Sequence, residues 1–181
     1  MQRLLIVIIC VLIVPPGGQA QLEYVDSALI TGQYNQTVTV GDYLYAVNDW
    51  GLQVFDVSGD DSLQVVGQLP TPGEAFGVTV LGTYAYIADR STGMVVADIG
   101  DPKQPVLVSQ IDTPGGTNAV VVAGETAYLA DGEAGMTIVN VSDPRSPARI
   151  STYALPDDDT GSRAMGIAFS DGYVYLAAQA T

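Results

Sequence analysis

Residues 124–147 read GETAYLADGEAGMTIVNVSDPRSP, and the same phrase recurs upstream as GTYAYIADRSTGMVVADIGDPKQP at 82–105 and as GDYLYAVNDWGLQVFDVS at 41–58. A fourth copy opens as DGYVYLAA at 171–178. The last tyrosine of each motif falls at Tyr45, Tyr86, Tyr128 and Tyr175, so the steps are 41, 42 and 47 residues. A repeat of that length marks supersecondary units stacked side by side, none of which buries its apolar face alone.

Within the third copy, short apolar runs at 119–123, 127–130, 136–141 and 148–153 are each bounded by Gly, Asp or Pro, which predicts four strands per repeat. Val, Ile, Tyr and Thr dominate these runs, and none carries apolar residues at helical spacing over ten or more positions. The fold class expected is therefore all-β, a β-propeller of four-stranded antiparallel blades, in which radial repetition leaves only short, protected edges. A four-stranded solenoid coil is the alternative. The repeats run at about 33–73, 74–115 and 116–161, with a partial copy at 162–181, so about three and a half blades are present.

The segment EYVDSALIT at 23–31 has no repeat motif ahead of it, yet it matches the fourth strand of a later copy, VLVSQIDT at 106–113. It is expected to serve as a lone outer strand, within 22–32, of the kind that closes a propeller from the opposite terminus. The fourth copy breaks off after two strands, whereas propellers use about four to eight blades and an open edge invites pairing. The expectation is that the remainder of the same propeller lies C-terminal to Thr181. Residues 21–181 alone would then aggregate or oligomerise.

The first twenty residues differ in kind. Arg3 supplies one positive charge, residues 4–14 are unbroken apolar, and Gly18-Gln19-Ala20 offers small residues before a cut. This is the pattern of a secretory signal peptide over 1–20, and an apolar run of eleven is too short for a span that needs about 20 residues. The expected localisation is secreted, periplasmic or cell-surface, with no stable membrane span. Cys10, the only cysteine, lies inside the apolar run and would leave with the leader, so the mature chain has neither disulfides nor thiol chemistry. Losing Arg3 as well leaves five basic against 20 acidic side chains, a formal charge of −15, which disfavours nucleic acid and anionic membranes as partners.

The innermost strands, at 77–81 and 119–123, are small and β-branched, as blades crowding an axis require. The tyrosines recurring at one phase read as inter-blade packing, with a sugar-stacking platform as the alternative. Three residues beyond them stand Asn48, Asp89 and Asp131, each followed by a glycine (Gly51, Gly93, Gly135), which suits a turn between the second and third strands. Asp101-Pro102 and Asp143-Pro144, each with a second proline three residues on, set a tight connection into the fourth strand.

The order G-x-x-x-Y-[IL]-A-D, G-M-x-[IV]-x-[DN]-[IV], D-P-x-x-P resembles the LVIVD-repeat family of bacterial and archaeal propeller proteins. The resemblance covers about residue 32 to the end; it is close in copies two and three, looser in the first, which lacks Asp-Pro, and partial in the fourth. It implies an exported or surface-associated repeat protein with no general catalytic activity that maps onto residues here.

The chain contains no histidine, so a Ser-His-Asp triad, a His general base and His-ligated metals are excluded within it. Asp and Glu abound, but none stands off the repeat phase in a way that marks a glycoside-hydrolysing pair. Asp157-Asp158-Asp159-Thr160-Gly161 occupies the one enlarged connection, which accounts for the 47-residue step. Alternation along an extended segment lets Asp157 and Asp159 share a calcium ion while Asp158 points away, against the plainer reading of a solvated acidic loop. Asn35-Gln36-Thr37 and Asn140-Val141-Ser142 fit the glycosylation sequon, which is idle in a prokaryote. Two functions stay open. One is a non-enzymatic scaffold presenting loops to a protein or glycan partner; the other is an extracellular hydrolase or lyase using carboxylates, with calcium as its one candidate cofactor.

Overall fold

The computed structural model describes residues 9–13, 21–26, 34–59, 63–155 and 161–180. The described residues form strands, turns and loops and contain no helix. Three antiparallel sheets of four strands follow one another along the chain. The first has the order β3 (Gln36–Val40), β4 (Tyr43–Asn48), β5 (Gly51–Asp56), β6 (Gln64–Pro70). The second runs β7 (Ala75–Leu81), β8 (Tyr84–Asp89), β9 (Gly93–Asp98), β10 (Val106–Ile111), and the third β11 (Ala119–Ala123), β12 (Thr126–Ala130), β13 (Met136–Asn140), β14 (Ala148–Tyr153). A two-stranded sheet, β15 (Arg163–Ser170) with β16 (Tyr173–Gln179), begins a fourth blade.

The first strands of successive blades lie against one another, β3 on β7, β7 on β11 and β11 on β15. Their approach is close enough that a Cβ on Gly77 would sit 3.0 Å from the Ala119 Cα. The arrangement is that of an incomplete, unclosed propeller.

Packing explains the burial pattern strand by strand. In β9 successive side chains point to opposite faces, so Val95 and Ala97 pack with Tyr45, Val47 and Val54 of the first blade. Met94 and Val96 pack with Leu129 and Val139 of the third. Because both faces are covered, five of the six β9 residues are buried and the strand reads as a continuous apolar run. Burying a side chain such as Ile87, Met94 or Leu129 contributes about 1.5–3 kcal/mol. Among the described residues the fourth blade packs on the third alone, and Tyr173 and Tyr175 are 67% and 57% exposed.

The repeated polar residues build the turns. Asp56 and Asn140 each accept from the amide and hydroxyl of the serine two residues on, at 2.6–2.9 Å, and Asp98 accepts from the Gly100 amide at 2.9 Å. Those bonds to Ser58 hold the Asp56 carboxyl below its ordinary range. Asp101 and Asp143 accept from the Lys103 and Arg145 amides at 3.0 Å, which shapes the connection containing the two prolines.

The expected outer strand is placed differently. Its first part lies in β2 (Gln21–Asp26), which pairs antiparallel with β1 (Ile9–Ile13) and not with a blade; residues 27–31 lie outside those described. The β-branched Ile and Val of β1 offer β2 a pairing partner close by in sequence, at a smaller loop-closure cost than a distant blade would exact.

Candidate functional site

A cleft of about 510 Å³ opens where the turns between second and third strands meet the loops entering the first strands. Its lining includes Arg90, Gly116, Asn118, Gly132, Arg163 and Met165, drawn from blades two, three and four.

Arg90 occupies the β8–β9 turn, where its amide donates to the Glu74 carbonyl at 2.9 Å and its carbonyl accepts from the Thr117 amide at 3.1 Å. The second bond ties blade two to the start of β11. Its guanidinium carbon lies 4.6 Å from the centre of the Phe76 ring, a cation–π contact. Arg163, also in the lining, pairs with Glu133 at 2.6 Å, with 49% and 72% of the two side chains exposed.

Glycine backbone forms the floor. Gly132 has φ +53°, and a Cβ there would come within 2.9 Å of the Gly116 carbonyl oxygen, so a side chain is both strained and crowded out. The Gly132 carbonyl accepts from the Ala164 amide at 2.9 Å, which joins blade three to blade four. Asn118 reinforces that joint by donating from Nδ2 to the Ala164 carbonyl at 2.9 Å. Its Oδ1 is buried and has no hydrogen-bond partner among the described residues.

Beneath the floor lies Asp131, fully buried. Its Oδ1 accepts from the Thr113 hydroxyl at 2.7 Å and the Thr117 hydroxyl at 2.9 Å. Oδ2 accepts from the Thr137 hydroxyl at 2.8 Å and the Gly115 amide at 3.3 Å. Burying a carboxylate is costly, and four donors to its lone pairs offset that cost here. The outcome is a node that fixes the strand turn, the loop and Gly115 relative to one another.

The sequence places the Asn48, Asp89 and Asp131 series in turns, and Asn48 does only that, accepting from the Trp50 and Gly51 amides at 2.9 and 3.1 Å. For Asp131 the turn reading is too small, because it omits the three threonines. Thr71-Pro72-Gly73 and Thr113-Pro114-Gly115, at one phase of the repeat, were the available signal. The tyrosines divide: Tyr45 and Tyr86 are buried between blades, and that burial pushes both phenols up, with Tyr43 and Tyr84 adding smaller contributions. Tyr128 is half-buried and stacks on Phe169 at 6.1 Å, while Tyr175 stays exposed. Asp157 and Asp159, the candidate calcium ligands, lie outside the described residues. Arg90, Asn118 and Arg163 were not legible as a group, since each comes from a different repeat.

Blades of four antiparallel strands repeated about an axis define a propeller-type repeat scaffold. The LVIVD repeat model matches three times, at residues 32–71, 72–113 and 114–154, and the chain belongs to the LVIVD repeat family. Among curated proteins, none matches the chain. Among the described residues no helix is long and apolar enough to cross a membrane.

Proposed function

We propose that the protein is an exported binding module that holds a ligand in the cleft between blades two, three and four. The observation that carries this reading is the cleft itself, a cavity of about 510 Å³ floored by glycine backbone and flanked by two arginines. Side chains carried on a packed scaffold can bind with little ordering cost, because the positions that meet a ligand are already fixed. Export is supported by the leader pattern at 1–20, and cleavage after Ala20 would remove β1 and free β2 from its partner. Binding is favoured over glycoside hydrolysis because Glu133 is the one carboxylate among the described lining residues, and Arg163 already engages it.

Two measurements test the reading. The mass of the exported protein should place its N-terminus at Gln21; an intact Met1 on a cytosolic product would remove the export claim. For the cleft, Gly116→Leu is the informative change, because a Cβ there meets only ordinary contacts at 3.6–3.7 Å and the longer side chain would fill the space. Retention on an array of glycans and peptides should be lost in Gly116→Leu with the melting temperature unchanged. Retention equal to that of the natural protein would exclude the cleft.

A further inference from the structure

Resting on the cleft reading above, we infer that the ligand is a carboxylate-bearing sugar, a uronate residue of an acidic glycan. The first observation is charge placement. After Ala20 the chain carries five basic side chains against 20 acidic ones, yet two of the five, Arg90 and Arg163, line this one cleft. A chain so acidic repels anions at long range, so a pair of arginines set into a concave site provides a local exception. Guanidinium groups match the planar, bidentate geometry of a carboxylate.

Neither arginine is locked away. Arg90 is exposed and makes its contact with a ring face, and it takes no part in the one ion pair among the described residues. The Arg163–Glu133 pair is well exposed, and exposed pairs hold weakly enough to exchange for an incoming carboxylate.

The second observation asks for a different group on the same ligand. Asn118 is 9% exposed, its Nδ2 is committed to Ala164, and its Oδ1 is a buried acceptor with no donor among the described residues. A buried acceptor left unpaired is costly and rare, so it calls for a hydroxyl or amide N–H. Asn118 and Met165 both line the cleft, and Met165, whose sulfur lies 3.7 Å from Asn118 Nδ2, is 39% exposed with an unbranched side chain that can shift as a ligand enters. Anion-binding arginines beside an acceptor that wants a hydroxyl describe a sugar acid, whose carboxylate and ring hydroxyls lie on one small rigid frame.

Calorimetric titration of the full chain with trigalacturonate tests this. Saturable binding is expected, and the fully methyl-esterified trimer, which keeps the hydroxyls and loses the charge, should bind at least about tenfold more weakly. Arg90→Gln and Arg163→Gln should each weaken trigalacturonate by about tenfold while lowering the unfolding midpoint by no more than about 4 °C, and Glu133→Gln, which releases Arg163, should tighten it. Equal binding of acid and ester overturns the proposal. Equal binding of sulfate also overturns it, leaving a site for inorganic anions, and so does tighter binding of a peptide C-terminal carboxylate. If acidic glycans fail while another probe shows retention sensitive to Gly116→Leu, the sugar-acid assignment falls and the binding module stands. If no probe shows that sensitivity, both fall.

Discussion

Blades two and three place the same residue at the same point of the repeat, and the two carboxylates live in different surroundings. Asp131 accepts from three threonine hydroxyls and a backbone amide. Asp89, equally buried, accepts from the Gly73 amide at 3.0 Å, while its Oδ1 and the hydroxyls of Thr71 and Thr92 have no partners among the described residues. Two substitutions account for two of the absent donors: where blade three has Thr117 and Thr137, blade two has Ala75 and Val95, while Thr71, the counterpart of Thr113, is present without donating to Asp89. Blade one carries Asn48 at the same point and needs no buried charge at all. The comparison teaches that the repeat motif preserves a turn, and that only blade three builds the turn into a fully satisfied polar node beneath the cleft.

The comparison breaks most visibly if Asp131 is removed. Asp131→Ala leaves three hydroxyls and an amide without their acceptor, and a loss of about 3 kcal/mol is expected, a fall in Tm on the order of 10 °C. Scanning calorimetry checks it; a change of less than a degree would show that the threonines satisfy one another. Next in size is Thr137→Val, which makes blade three more like blade two at nearly constant volume. Loss of one hydrogen bond to a buried carboxylate should cost about 1.5–3 kcal/mol in denaturant unfolding.

Val95→Thr sharpens the comparison from the other side. Set in the surroundings of blade two, the new hydroxyl should find Asp89, so the substitution should be tolerated better, by about 1 kcal/mol, with Asp89 present than in Asp89→Ala. A zero coupling would mean that the two positions are not equivalent in space. The smallest effect belongs to the cleft wall. Arg163→Gln breaks an exposed ion pair and should cost about 0.2–1 kcal/mol, less in high salt.

The blades were legible because the sequence signal is periodic and local. The four strands read at 119–123, 127–130, 136–141 and 148–153 meet β11 to β14 to within a residue at their ends, since each run is bounded on one side by Gly124, Asp131, Gly135 or Pro147, residues with a marked backbone demand. Residues 23–31 match a fourth strand such as VLVSQIDT at 106–113, but strand-forming composition does not choose a pairing partner, and β2 pairs with β1. The cleft was invisible for a related reason: Arg90, Asn118 and Arg163 come from separate repeats at unlike phases, and only the stacking of blades brings them together. The threonines around Asp131 hid because blade two replaces two of them with apolar residues.

Blade three's carboxylate is held by matched donors and blade two's is not, a difference that paired Asp→Asn substitutions read out. In Asp131→Asn the amide must turn a donor toward groups that themselves donate, and denaturant unfolding should show a loss of about 2 kcal/mol. In Asp89→Asn one oxygen can still accept from Gly73 and the new NH2 can serve unpaired hydroxyls, so stability should stay within about 0.5 kcal/mol or rise, as the asparagine of blade one already suggests. Equal losses from the two substitutions, or a larger loss from Asp89→Asn, would contradict the account.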